Sequence, residues 1–302
     1  MAVIAGFTEF LGNIKIMFLG LSEKFKALLR KLKKVLKREV VAVISVNGPV
    51  GMVSSLKSGV SFELLNQKIE QAFRLKNLKA VAISVNSPGG SPVQAELIFN
   101  RLRKLAEEKD IPLISFAEDL AASAGYYILC AGDEIFAANN SLIGSLGVIS
   151  AGFGFEKAIK KAGVDRRVYS QGKNKAILDP FQAEKKEDID ILLAAQEEVY
   201  ENFKNLVKER RKGKLKSDNA MFSGAFWAAG KAKKLGLIDD VGYLHDIIKA
   251  KYGKDVEIKF MTIDKSWVAR KLGLNISSQM QDLLYQAIDY IENKLKFGYK
   301  LY

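Results

Sequence analysis

AVAISVNSPGG, residues Ala80–Gly90, is a run of β-branched and small residues that ends on a Pro-Gly-Gly turn. A run of this kind, bounded by turn residues, reads as a strand buried on both faces, as in a parallel sheet. VVAVISVNG (Val40–Gly48) and PLISFA (Pro112–Ala117) have the same form, and amphipathic helical patterns at about Phe62–Leu75 and Pro92–Glu108 lie between the three. Strand–helix–strand at this spacing predicts right-handed βαβ crossovers and a mainly parallel sheet, an α/β fold. A further helix is expected after Ser123, followed by a strand near EIFAA and a short helix over Gly154–Gly163. A strand over Arg166–Gly172 and a long charged helix over about Lys185–Arg211 complete the pattern.

The 302 residues are 48% hydrophobic and 27% charged, ordinary globular composition with material for a real core. Cys130 is the single cysteine, so no intrachain disulfide can form, and no cluster has the spacing of a zinc site. Neither a metal nor a cofactor is expected. The sequons at Asn139 and Asn275 are read as accidental, because nothing else indicates a secretory route.

The formal net charge of +13 is unevenly spread: between Lys24 and Arg38 stand eight basic residues and no acid. Phe7, Leu11, Ile14, Phe18, Leu21, Phe25, Leu28, Leu32 and Val35 form a continuous helical stripe through and ahead of them. Glu9 and Lys15 interrupt any clean span of about 20 apolar residues. The expected reading is an amphipathic helix over residues 1–38 resting on an anionic membrane surface, with either face of the membrane open. A helix packed on a partner subunit and a marginal span or targeting peptide are the alternatives. Nucleic-acid binding is set aside, because the basic stretch alternates with an apolar stripe and not with exposed aromatics. Residues 39–253 are expected to form the main domain. A C-terminal extension follows over 254–302, with an amphipathic stretch at Ser278–Lys294 suited to docking on a neighbouring subunit.

Ligands of open α/β sheets bind beyond the carboxyl ends of the strands, and two such loops here carry unusual residues. NSPGGS (Asn86–Ser91) can point backbone N–H groups outward at an oxyanion or phosphate, or be no more than a turn. AASAGYY (Ala121–Tyr127) sets Ser123 among small residues at the head of a helix, either as an N-cap or as a nucleophile. Tyr126, Tyr127 and Trp227 are expected to pack. A nucleophilic serine needs a base. His245, the sole histidine, lies in a late helix, so a Ser–His–Asp triad has hardly any material. A desolvated lysine is one remaining option, and YSQGKNKAILDPF (Tyr169–Phe181) offers Lys173 and Lys175 after a glycine.

Together NSPGGSPVQ, EDLAASAGYY, DEIFAANNSLIGSLGVI, GKNKAILDPF and SGAFWAAGKAKKLGLIDDVG resemble, in order, the signal peptide peptidase A/SohB family of Ser–Lys serine peptidases, across roughly Val40–Gly253. The resemblance implies a ClpP/crotonase-like βαβ superhelix, here with an N-terminal amphipathic helix and C-terminal helices. It makes Ser123 the nucleophile and Lys175 the general base. It places the oxyanion hole at Gly90 and the Ser123 N–H, with Gly89 supplying the turn, and makes Ser145 the group that orients the lysine. Ala124 stands where the family usually has glycine, which would strain the turn if that position had positive φ. The resemblance further implies a homo-oligomer with active sites at subunit interfaces. Its substrates would be short or unfolded peptides, such as cleaved signal peptides, bound in apolar pockets near the membrane. A crotonase-like acyl-CoA enzyme and a catalytically silent membrane scaffold are the competing functions.

Overall fold

A computed structural model of the chain describes residues 38–51, 59–216 and 220–261. The Phe7–Val35 stripe and the Ser278–Lys294 stretch lie outside these residues.

The β-branched runs form strands and the 3.6-periodic runs form helices, in the order read from the sequence. The first half is β1 (Val40–Asn47), α1 (Phe62–Phe73), β2 (Leu78–Ser87), α2 (Pro92–Lys109), β3 (Leu113–Ala122) and α3 (Ala124–Leu129). Then come β4 (Glu134–Ala137), β5 (Leu142–Gly144), α4 (Glu156–Lys161) and the long α5 (Lys186–Arg210). β6 (Phe226–Ala228), α6 (Ala229–Leu235), β7 (Asp240–Val241), α7 (Leu244–Tyr252) and β8 (Glu257–Phe260) follow. Ser61 and Ser91 start α1 and α2 by accepting from the N–H groups of Leu64 and Gln94, each at 3.4 Å, and Pro92 occupies the first turn of α2.

β8, β1, β2 and β3 pair in parallel in that spatial order. β3 then forks. Its first half, Ile114–Ala117, pairs with β4, and its end, Leu120–Ala122, pairs with β5. β6 closes antiparallel on β5, and β7 runs parallel to β4. Strand alternation divides the core between the two faces of the sheet. Ile44, Val46, Ile83 and Val85 pack with Ile69, Ile98 and Leu102 of the helices on one side. Val41, Val43, Ala80, Ala82 and Phe116 pack with Phe136 and Ile248 on the other. Full burial of each large side chain contributes about 1.5–3 kcal/mol relative to exposure, so the central strands anchor the fold.

Two expectations change here. β8, four residues inside the expected C-terminal extension, is an edge strand of the main sheet, so the body runs to Met261 and past Gly253. Arg166–Gly172 forms no strand: nearly all of it is exposed, and it has no strand partner among the described residues. A ladder needs a neighbour for its backbone groups, and the described residues supply none there.

Below the α3 end of the sheet a buried cation ties three segments together. Arg211, 1% exposed, donates from Nε to Gly236 O (2.8 Å) and bidentately to the Asp239 carboxylate (2.9 and 3.1 Å). Burial works against the charged form of Asp239, but hydrogen bonds from Arg211, Lys214 and the Ile135 N–H outweigh it and hold the carboxyl below the usual range.

Candidate active site

The site starts from the fork in β3. The strand keeps its direction up to Ala122 because Leu120–Ala122 pair with β5, and it must turn sharply there to enter α3. Ser123 takes that turn with φ +51° and ψ −122°, a conformation that L residues rarely adopt. Holding a residue in such a region costs about 1–3 kcal/mol and persists only when the surroundings enforce it. Enforcement comes from the hydrogen bond of the Ser123 N–H to Gly144 O (2.9 Å) and from the Tyr127 N–H to Ser123 O (3.0 Å). The same geometry answers the N-cap alternative. A capping serine has extended backbone and accepts from the helix with its side chain; Ser123 has neither feature. Its hydroxyl is left at the head of a buried helix without a capping role. A strained strand-to-helix turn that presents a serine Oγ is a device found at nucleophilic serines.

Asn86–Ser91 lies directly against this turn. A Cβ on Gly89 (φ +104°) would stand 2.7 Å from Ser123 Cβ and 3.0 Å from Ala122 O, and one on Gly125 would stand 2.7 Å from Ser87 O. A Cβ on Gly90 (φ +142°) would stand 2.1 Å from Val50 O. The glycines are therefore required both by conformation and by close approach.

The donors differ from expectation. The Ser123 N–H is spent on Gly144 O, and the Gly89 N–H donates to Ser87 Oγ at 3.2 Å. Among the described residues no partner is found for the N–H groups of Gly90 and Ala124, which flank the serine from the two loops. Ala124 does not have positive φ. The strain is carried one residue earlier, so a methyl at position 124 is harmless.

Ser145 also has positive φ (+54°), and its N–H donates to Ala225 O at 2.7 Å. It follows the Gly144 whose carbonyl holds Ser123, which sets the two serines in adjoining turns of neighbouring strands.

Ser123 opens onto a cavity of about 420 Å³, with Gly90 and Gly147 beside it and Tyr127, Phe203 and Leu206 among its walls. Tyr127 stacks edge-on to Phe99 (5.6 Å between centroids) and tilts against Phe203 (5.4 Å), so α2, α3 and α5 all contribute. Tyr126 packs as expected, fully buried with its hydroxyl donating to Leu237 O (2.8 Å). Trp227 is partly buried against the core, its ring within 3.0 Å of where a Gly144 Cβ would be. His245 meets Phe260 (6.1 Å) and is not among the residues lining this cavity.

Neither Lys173 nor Lys175 lines the cavity, and both are exposed. They sit on Ile149–Lys185, a surface excursion held by its own contacts: Phe155 stacked on Phe181 (5.6 Å), Arg166 over the Phe181 ring and paired with Asp179 (3.1 Å), and the Phe155 N–H to Pro180 O (2.6 Å). This excursion exposes Ile149, Phe153, Val164 and Tyr169 at 85%, 80%, 54% and 91%. Within one chain, then, the serine turn, the Gly90 turn and Ser145 come together, and the lysines do not join them.

The model of Peptidase family S49 matches residues 105–258, just over half of the chain. Two relatives, from Brucella abortus (strain 2308) and Brucella melitensis biotype 1, bear the name Na(+)/H(+) antiporter NhaA. They are 47% identical over 226 residues, 74% of this chain and 31% of theirs. The chloroplastic serine protease SPPA of Arabidopsis thaliana is 31% identical over 68% of this chain and 31% of its own. A putative signal peptide peptidase SppA of Enterococcus faecium is 29% identical over 72% of this chain and 62% of its own. The chain thus spans about a third of the length of the first three. With the matched stretch running from α2 through the Ser123 turn to β8, the chain belongs to Peptidase family S49.

Proposed function

We propose that this chain is a serine endopeptidase in which Ser123 is the nucleophile and Lys175 of a neighbouring copy is the general base. The observation that carries the reading is Ser123, with positive φ and no capping bond, at the mouth of a cavity, with N–H groups of Gly90 and Ala124 on either side that have no partner among the described residues. Supply of the lysine in trans is supported by its exposure here and by the apolar side chains that its segment leaves in solvent. A lysine in solvent is protonated and cannot accept a proton; a subunit contact that buries it would lower its pKa and make it a base.

In the mechanism, neutral Lys175 takes the Ser123 proton as Oγ attacks the scissile carbonyl. The tetrahedral oxyanion is held by the Gly90 and Ala124 amides, each such donor being worth about 2.7–4 kcal/mol. The lysinium gives its proton to the leaving amine, and a water molecule, deprotonated by the same lysine, hydrolyses the acyl-enzyme. Ser145 orients the amine. Substrates are extended, unfolded segments such as cleaved signal peptides, brought close by the Phe7–Val35 stripe on an anionic membrane surface. Among the described residues no helix is long and apolar enough to cross a membrane. The antiporter name stays with the Brucella proteins, whose shared stretch is long enough to include most of residues 105–258.

Ser123→Ala and Lys175→Ala should each lower peptide cleavage at least about 10³-fold while assembly survives. Mixed and reassembled in equal amounts, the two inactive variants should regain about a quarter of the wild-type sites if each site joins two copies. Unchanged turnover in either variant rejects the dyad, and no regain on mixing rejects its intersubunit form. A crotonase-like enzyme or a silent scaffold would leave a serine-reactive phosphonate unattached to Ser123.

A further inference from the structure

In a chain with thirteen excess positive charges, the cavity beside Ser123 is lined by two carboxylates, Glu96 and Glu209, and among the described residues by no lysine or arginine. Asn202 and Asn205 add amides to the same lining. The wall nearer the serine is apolar, with Val93, Tyr127, Val199 and Phe203.

The helices order these groups along the cavity. α3 leads away from Ser123 toward Cys130, whose carbonyl accepts from Arg210 Nε of α5 at 2.9 Å. α5 therefore passes the cavity with Phe203 against Tyr127 and its Arg210 end beside the far end of α3. Val199 lies on the serine side, near the Gln196 side chain that donates to Ser150 Oγ (2.8 Å). Glu209 stands ten residues further on, about 15 Å along the helix. Glu96 comes from α2, one turn before the Phe99 that meets the Tyr127 ring. Burial pushes the Tyr127 phenol up to about 12, and the negative charge of Glu96 on the same cavity adds to the push. Neither Glu96 nor Glu209 has an ion-pair partner among the described residues.

We infer that this cavity selects peptides whose side chain next to the scissile carbonyl is long and cationic, a lysine or arginine, with its methylenes along the apolar wall and its charge at Glu96 and Glu209. The inference deepens the peptidase reading and rests on it for the placement of the scissile bond. Lysine and arginine suit such a slot because their stems are apolar and their heads stay hydrated. Two partly solvated carboxylates favour a cation by about threefold each.

The test uses the full chain and three peptide phosphonates that differ only in the residue preceding phosphorus: lysine, leucine or glutamate. The rate of Ser123 labelling should be about tenfold higher for the lysine probe than for the glutamate probe, and the ratio should fall as salt rises. Glu96→Gln and Glu209→Gln should each lower the ratio about threefold, and the double variant should bring it close to one. Glu108→Gln, on the same helix as Glu96 but outside the cavity, should leave the ratio unchanged. A wild-type ratio of one or less, or a ratio untouched by the glutamine variants, overturns the inference. Binding of the matching uncleaved peptides to the Ser123→Ala protein separates this from the parent reading. Lysine-over-glutamate preference there without any labelling of wild-type Ser123 upholds the cavity and rejects the peptidase; equal binding rejects the cavity's selectivity.

Discussion

Gly89→Ala tests whether the turn before α2 holds Ser123, the proposed nucleophile, in place. The new Cβ would stand 2.7 Å from Ser123 Cβ, closer than real Cβ contacts allow, and 3.0 Å from Ala122 O and 3.1 Å from Ala124 N, tight contacts with backbone that cannot swing aside. Positive φ (+104°) adds about 1–3 kcal/mol of strain whatever the space. Relief requires the Ser123 turn and the Asn86–Ser91 turn to part by several tenths of an ångström to about one. Misplacement on that scale costs about 10²-fold in rate, so phosphonate labelling of Ser123 should slow by about that factor while the protein stays folded. For a body of more than 200 residues, each kcal/mol of strain lowers Tm by about 2–4 °C. Gly253→Ala is the matched control: its φ is +89°, but a Cβ there would meet nothing within 4 Å. It should show a comparable loss of Tm with labelling unchanged. If Gly89→Ala labels within about threefold of wild type while its Tm falls like that of Gly253→Ala, the two turns are not mechanically linked and the site geometry argued above is wrong.

Other outcomes follow from single contacts. Arg211→Met removes one partner of a buried pair and should destabilise the protein by about 3–5 kcal/mol, measured by denaturant unfolding; Asp239 has a depressed pKa in the folded protein, so its contribution is complete above about pH 4 and fades as pH falls through the folded value. In an acid titration of stability, the advantage of wild type over Asp239→Asn should grow as pH rises through that window and stay constant above it, and a difference independent of pH would exclude the linkage. Tyr126→Phe leaves the buried Leu237 carbonyl without its donor and should cost about 1–3 kcal/mol by thermal unfolding. Burial pushes the Cys130 thiol up to about 12, so the native protein should resist alkylation at neutral pH and react only when unfolded.

What the sequence disclosed was what local pattern determines. Val40–Asn47 and Leu78–Ser87 are strands because continuous β-branched runs leave few other options, and the helices between them are bounded by Ser61 and by Ser91-Pro92. Ser123 stood out because small residues precede a buried helix, but its role was undecided between cap and nucleophile, since both need a serine at a helix start. Only the backbone angle separates them, and φ at one residue is set by the β5 pairing some twenty residues away. The forked β3 was hidden because Leu120–Ala122 is too short and too small to read as a strand by itself. β8 was hidden because one edge strand of four residues is defined by its partner, β1. The cavity carboxylates lie over a hundred positions apart, and no spacing rule connects them. Arg166–Gly172 was misread for the opposite reason: its valine and tyrosine favour extended chain, but a strand without a neighbour is not formed by propensity alone.

The occupied Ser123 amide also says why two serines, 22 positions apart, share an unusual backbone. Ser123 holds φ +51° with its N–H on Gly144 O. Gly144 in turn must present that carbonyl while its own φ is +126°, and a Cβ there would stand 2.8 Å from Ala225 O and 3.0 Å from the Trp227 ring. Ser145, the next residue, then turns to +54° with its N–H on Ala225 O, which ties β5 to the chain entering β6. Strain at Ser123 is thus balanced through the β5–β6 pair, and in the proposed mechanism the donor that this consumes is made up by the amides of Gly90 and Ala124, which have no partner among the described residues. A Gly144→Ala chain should therefore lose Ser123 labelling without any change in the cavity itself, because the methyl would push β5 off Trp227 and release the Ser123 amide. Retained labelling would mean that the serine turn stands without β5, and that the Ser123 N–H is free to serve the oxyanion after all.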